Sequence, residues 1–304
     1  PLFNDAPSGG SSVVTTDEGN IPGIGSGTET SATQPFGAAT DGSFKMELHG
    51  ADATVTIGGT ELKVENGKLY HNGVEVTADA AVSVPGGAHG TLTVTGMDAG
   101  GTVHYTYTLT APVDATGNAS NRPGEGDAGR GEAVHADAFD VTITTTGGTA
   151  TGQITVDALD DAPVLSTLDT TQTTVADGEA ALTGTLSFTP GADAEGAQVT
   201  VEVEGQTFTG TKGENGWMFT GGSDGSSFQL NGTAFTYTRP SSNTTDGRND
   251  TIILKVTVTD GDGDTAEQSV TVNTVAAPLF NDAPSGGSSV VTTDEGNIPG
   301  KGSQ

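Results

Sequence analysis

The chain is 304 residues long, room for about two domains at the usual ~150 residues each, and sets 10 Lys+Arg against 39 Asp+Glu for a formal net charge of −29. That charge repels nucleic acid and anionic membrane surfaces and makes cations the natural partners. Cysteine is absent, which removes disulfides and thiolate metal sites, and no apolar run approaches the ~18 residues of a membrane helix, so no membrane insertion is expected.

A hydrophobic content of 32% with 47 glycines also suits a disordered acidic chain, but the apolar residues are patterned. Residues 1–7 contain Asn4-Asp5-Ala6-Pro7, whose proline holds Ala6 extended, and they read as a joint. A strand is expected at Val13-Val14 and a Gly/Ser/Thr loop at 19–34. Period-2 alternation through Phe44-Lys45-Met46-Glu47-Leu48 marks the next strand. Short hairpins follow, with Asn66-Gly67 and Asn72-Gly73 as type I′ turns, because both central positions need positive φ. Strands at 91–95 and 103–109, an acidic loop at 111–137, and closing strands at 138–145 and 149–157 complete a first domain, 8–159.

Asp160-Asp161-Ala162-Pro163 repeats the joint, and a second domain occupies 164–276. Leu182–Phe188 reads as the counterpart of Gly90–Val94, with Asp193 in the following loop matching Asp98. The last hairpin, Ile252–Thr259 and Thr265–Val275, matches Phe139–Thr145 and Ala150–Val156. A third joint, Asn281-Asp282-Ala283-Pro284, opens 277–304. Residues 1–23 return letter for letter at 278–300, 277 residues later. No fold demands such identity, so it records a recent duplication, and the chain reads as one repeat plus the opening of the next, a piece from inside a tandem array. Short strands, turns every 8–12 residues and almost no helical periodicity give an all-β fold: two tandem immunoglobulin-like β-sandwich domains joined end to end, the first with extra strands at 44–84.

The sharpest chemistry is Asp260-Gly261-Asp262-Gly263-Asp264, alternate carboxylates on a glycine-rich turn that can converge on a hard cation. It is not an EF-hand: Thr265 stands where a glycine is expected and Thr271 where a bidentate Glu is expected. In a sandwich whose final strand runs toward the C-terminal end, the turn before it lies at the opposite end, where the joint enters. Asp260, Asp262 and Asp264 are therefore expected to face Asp160 and Asp161, with Asp193 and Glu195 joining from the 190–196 turn. Carboxylates so crowded repel unless neutralised, so Ca²⁺ is the expected cofactor; a solvated acidic turn is the alternative. At the N-terminal end the last hairpin reads Thr144-Thr145-Thr146-Gly147-Gly148-Thr149, with no acids. Asn4, Asp5, Asp17, Glu18 and Asp98 are the candidates there, and Asn281, Asp282, Asp294 and Glu295 repeat them for the next unit. The 114–137 loop, ending at Asp137, holds either a separate ion or only solvated acids.

Other motifs fail on context. Gly221-Gly222-Ser223-Asp224-Gly225 fits a hydrolase elbow, but no histidine follows it, the last being His135. Gly124-Glu125-Gly126-Asp127-Ala128-Gly129 fits a dinucleotide loop, yet its acids would repel a pyrophosphate. No catalytic residues are expected.

The order Gly90-Thr91-Leu92-Thr93-Val94-Thr95-Gly96, Tyr105-x-Tyr107-Thr108-Leu109, an acidic loop, Asp137-x-Phe139-x-Val141-x-x-Thr144, Ala150-Thr151-Gly152-x-Ile154-Thr155-Val156 and Asp160-Asp161-Ala162-Pro163 resembles the tandem repeats of large bacterial adhesins exported by type I secretion, the repeats-in-toxin adhesins. The resemblance covers about 90–163 well and 180–284 less tightly. It implies calcium-binding immunoglobulin-like extender modules on the bacterial cell surface, extracellular, monomeric, contacting neighbouring repeats of the same chain and holding a distal ligand-binding region away from the cell. The alternative is a sugar- or peptide-binding β-sandwich module, with Phe44 and Tyr70 as the aromatics that 44–84 would expose.

Overall fold

The computed structural model describes residues 7–27, 37–113, 132–172, 174–176, 181–214, 216–239, 251–261 and 263–275. The first domain runs through β1 (Ser8–Gly9), β2 (Ser12–Asp17), a 3-10 turn (Glu18–Asn20), β3 (Ala39–Glu47), β4 (Ala53–Ile57), β5 (Thr60–Glu65), β6 (Lys68–His71), β7 (Val74–Glu75), β8 (Val82–Val84), β9 (Gly90–Met97), β10 (Thr102–Leu109), β11 (Glu132–Thr145) and β12 (Gly148–Leu159). These form one sheet of order β1-β3-β10-β9-β8 and another of order β2-β12-β11-β4-β5-β6-β7. The second domain comprises β13 (Val164–Thr170), β14 (Thr174–Ala176), β15 (Ala181–Thr189), β16 (Gln198–Val203), β17 (Gln206–Gly213), β18 (Gly216–Gly221), β19 (Ser227–Asn231), β20 (Ala234–Thr238), β21 (Thr251–Thr259) and β22 (Thr265–Val275). Its sheets read β13-β15-β20-β19 and β14-β22-β21-β16-β17-β18.

Both orders are those of an immunoglobulin-like sandwich with extra strands beside the central three of one sheet. The first strand of each domain is split between the sheets. β1 pairs antiparallel with β3, whereas β2 pairs parallel with β12; β13 and β14 do the same with β15 and β22. Gly9 and Gly10, with φ of 100° and 98°, carry the chain from one sheet to the other through a left-handed backbone that other residues rarely adopt. The Asn66-Gly67 and Asn72-Gly73 turns are left-handed at both central residues, as their hairpins require.

Sheet position corrects one equivalence. β15 lies between β13 and β20, the place that β3 holds between β1 and β10. Leu182–Phe188 therefore corresponds to β3, not to Gly90–Val94, and the loop bearing Asp193 corresponds to the one after β3. Similar residue patterns on half-buried strands specify a face, not a neighbour.

Alternation fills two separate cores. In the first domain β10 buries Val103, Tyr105, Tyr107 and Leu109 while its intervening residues face outward, and Val55, Leu92, Val141 and Ile154 pack with them. In the second, Leu182, Val201, Phe208, Phe235, Tyr237 and Val256 form the centre. Trp217 packs edge-on against Phe188 at 5.1 Å between ring centroids. Phe44 is a core residue, 2% exposed, which removes it as a surface aromatic. Asp137, at the end of the acidic loop, is buried; it accepts the Tyr107 hydroxyl and the backbone N–H groups of Ala88, His89 and Gly90. It serves as an anchor for the 88–90 segment.

Candidate metal centre at the joint

β12 ends at Leu159 and β13 begins at Val164, so only four residues separate the two sandwiches. Asp160 is 1% exposed, Asp161 0% and Ala162 1%. A linker this short and this buried places loops of both domains against its carboxylates.

From the first domain comes the turn after β2. Residue Asp17 lies beside Leu159 in the parallel β2–β12 register, so the turn that follows β2 opens at the same end as the exit of β12. Asp17 caps this turn through Gly19 N–H at 2.9 Å, and Glu18 is wholly buried. The Glu18 Oε1 accepts Val113 N–H at 2.7 Å. Farther along, Gly25 passes so close beneath the turn that an added Cβ would lie 2.3 Å from Gly19 O. Asp17 and Glu18, expected at the N-terminal joint, are thus at the central one. The correction follows from the parallel pairing of β2, which carries its end toward the second domain.

From the second domain come two loops. Asp193, 5% exposed, sits in the loop between β15 and β16, and Asp260, 4% exposed, in the turn between β21 and β22. Gly261 N–H donates to Asp193 O at 2.7 Å, tying the loops together. Asp260 Oδ1 accepts the N–H groups of Gly263 and Asp264, at 3.0 and 2.7 Å, so this carboxylate shapes its own turn. Asp264 is half-buried with Oδ2 withdrawn from solvent. Glu195 is exposed. Asp262 lies outside the described residues, as do Asn4, Asp5, Asn281, Asp282, Asp294 and Glu295.

Two arrangements result. Glu18, Asp160 and Asp193 each offer an oxygen such that all three atoms lie within 4.8 Å of one another. Two unit charges ~4 Å apart repel by about 4 kcal/mol at an effective dielectric of about 20, and burial adds a desolvation cost. Beside this cluster, Asp161 accepts Ser26 Oγ at 2.5 Å and Ser26 N–H at 2.7 Å from the first domain, and Ala192 N–H at 2.9 Å from the second. Asp161 is therefore a hydrogen-bonded clasp across the joint. The cluster offers only oxygen donors from buried carboxylates on three segments, the donor type that suits a hard divalent cation such as Ca²⁺.

Asp98 plays a different part at the other end of the first domain. It accepts the N–H groups of Gly100 and Thr102, at 2.9 and 2.8 Å, and the Thr102 backbone bond is foremost in lowering its pKa. It is a turn-capping acid. The sequence signal that locates Glu18 is the split first strand: a segment that must run parallel to the final strand ends where that strand exits.

No family model matches the chain, and no curated protein does. Among solved structures, the titin Z1Z2 domains in complex with telethonin are 10% identical, with 91% of this chain and 98% of that one covered, at a TM-score of 0.38. The titin tandem A164–A165 is 11% identical, covering 90% and 98%, at 0.26. The tandem Ig repeats of Dlar are 8% identical, covering 90% and 98%, at 0.22. Overlap at these scores is loose, and the assignment of the fold rests on strand order.

Proposed function

We propose that the chain is a structural extender: two immunoglobulin-like sandwiches whose joint is stiffened by Ca²⁺, projecting a distal ligand-binding region from a bacterial surface. The observation that carries this reading is the burial of Glu18, Asp160 and Asp193 within 4.8 Å of one another, between two separately cored domains. The bacterial setting rests on the resemblance of 90–163 to adhesin repeats. Catalysis has no part in the reading.

Calcium would act by linkage. Extracellular modules hold Ca²⁺ with Kd on the order of 10⁻⁴–10⁻³ M, so the joint, held in either case by the Asp161 hydrogen bonds, would be less stiff in a low-calcium cytoplasm than outside. A site at a hundredfold excess of ligand over Kd adds about 2.7 kcal/mol to the folded state. The test is small-angle scattering and thermal unfolding in millimolar Ca²⁺, in chelator and in Mg²⁺. Calcium is expected to raise the unfolding temperature and narrow the interdomain ensemble, Mg²⁺ to fail, and Glu18→Gln or Asp193→Asn to abolish the response. Profiles indifferent to calcium would overturn the reading.

A further inference from the structure

We propose that the free edge of β18 pairs antiparallel with the β18 of a second copy of this chain, joining two molecules side by side through one continuous sheet. β18 is the last strand of its sheet. Counting out from the strand that pairs in parallel, β6 holds the same place in the first domain, and there β7 covers it, with Lys68 and Glu75 ion-paired at 2.8 Å across the two strands. Among the described residues of the second domain no strand takes that position. The exposed edge, Gly216-Trp217-Met218-Phe219-Thr220-Gly221, carries no charge, proline or bulge to turn a partner strand away.

The inner face of this strand is already fixed. Trp217 packs on Phe188, and the Phe219 ring fills the space above Gly210 and meets Phe228 edge-on at 4.8 Å between centroids. The outer face is neutral. Met218, 65% exposed, opposes Thr211, Thr220 opposes Thr209, and Gln198 and Thr200 continue the surface on β16. Lys212 follows the inward alternation of Phe208 and Gly210, and Glu214 lies in the turn beyond it.

Charge selects the occupant. A copy of a chain with a net charge of −29 is repelled from acidic surface and can meet its twin only where both are neutral, whereas a basic partner would be drawn to the acidic faces. Register agrees. With Met218 on the two-fold axis, Gly216 opposes Thr220 of the second copy and Trp217 opposes its Phe219, so each side chain meets one from the same face of the sheet. Such a contact is isologous and closes at two chains. A ladder from Gly216 to Thr220 buries much less than the ~1,200 Å² of a standard interface, so the pair is expected to fill near about 1 mM chain and not near about 10 μM.

The absence of cysteine makes single introduced thiols informative. Residues directly opposed in an antiparallel pair hold their Cα atoms about 4.5–5.5 Å apart, within disulfide reach. Under a thiol redox buffer near about 1 mM chain, Met218→Cys should give a covalent dimer, whereas Val74→Cys, similarly exposed at 59% on β7, should stay largely a free thiol. Sedimentation of the unmodified chain should show association that rises from about 10 μM to about 1 mM and strengthens with added salt, because screening relieves the repulsion between two acidic chains. Met218→Lys sets two like charges on the axis and should restore the monomer with an unchanged unfolding temperature. A monomer at every concentration would leave the edge to a strand of unlike sequence and overturn the proposal. Equal cross-linking of Met218→Cys and Val74→Cys, or association that survives Met218→Lys, would overturn it too. The proposal is independent of the calcium reading, and the same outcomes are expected in chelator.

Discussion

Asp161 and Glu18 are both wholly buried at the joint, yet they call for different compensation. The Asp161 charge meets three donors, two from Ser26 and one from Ala192. Removing it strands the buried Ala192 N–H, at a cost of about 1–3 kcal/mol, and releases the half-buried Ser26. Asp161→Ala is therefore expected to lower the unfolding temperature in chelator as much as in calcium, whereas Glu18→Gln acts chiefly in calcium; calorimetry under the two conditions separates them. A second residue-level expectation concerns the tyrosines. Burial first, then the carboxylate of Asp137, pushes the Tyr107 pKa up, and burial first, then Glu204, pushes Tyr237 up. Below the unfolded value of about 10 both phenols are neutral in either state, and the folded state keeps its full advantage. Above it the unfolded chain releases protons that the folded chain retains, so stability falls with rising pH. Tyr107→Phe should flatten that alkaline loss in denaturant melts at stepped pH.

At the level of elements, the hairpins and alternation were readable because each is local: Asn66-Gly67 dictates its own turn, and Tyr105 and Tyr107 show their common face by spacing alone. The neighbours of a strand were not. Val13-Val14 announces a strand without saying that it lies parallel to β12, and this one fact moves Asp17 and Glu18 from one end of the domain to the other. Leu182–Phe188 resembles Gly90–Val94 for the same reason, since Thr/Leu/Gly alternation recurs on strands in different sheet positions. The joint itself was readable, because proline and paired acids mark it and the direction of the last strand places the 260–264 turn beside it. The turn carrying Glu18 depends on a residue without chemistry of its own. Gly25→Ala would drive a methyl into Gly19 O, displacing Glu18; weaker calcium stabilisation with both sandwich cores intact is the expected result, checked by thermal shift and by amide exchange.

For the whole molecule, two cores and a four-residue linker leave orientation to the few contacts at the seam. Direct hydrogen bonds through Asp161 and ionic contacts around Asp160 would share that work, so the chelated protein should remain partly ordered at the joint. The parallel pairing of β2 with β12 has a mechanical consequence. Chain tension enters the first domain ahead of β2 and leaves at the far end of β12. Two parallel strands drawn from opposite ends slide along each other, and the pairs from Ser12–Ile154 to Asp17–Leu159 bear the load together instead of parting one by one. β14 and β22 stand in the same relation in the second domain. Single-molecule pulling should find a higher rupture force from end to end than from Ser12 with Ile154 as the paired handles, a geometry that peels the strands apart; equal forces would contradict this.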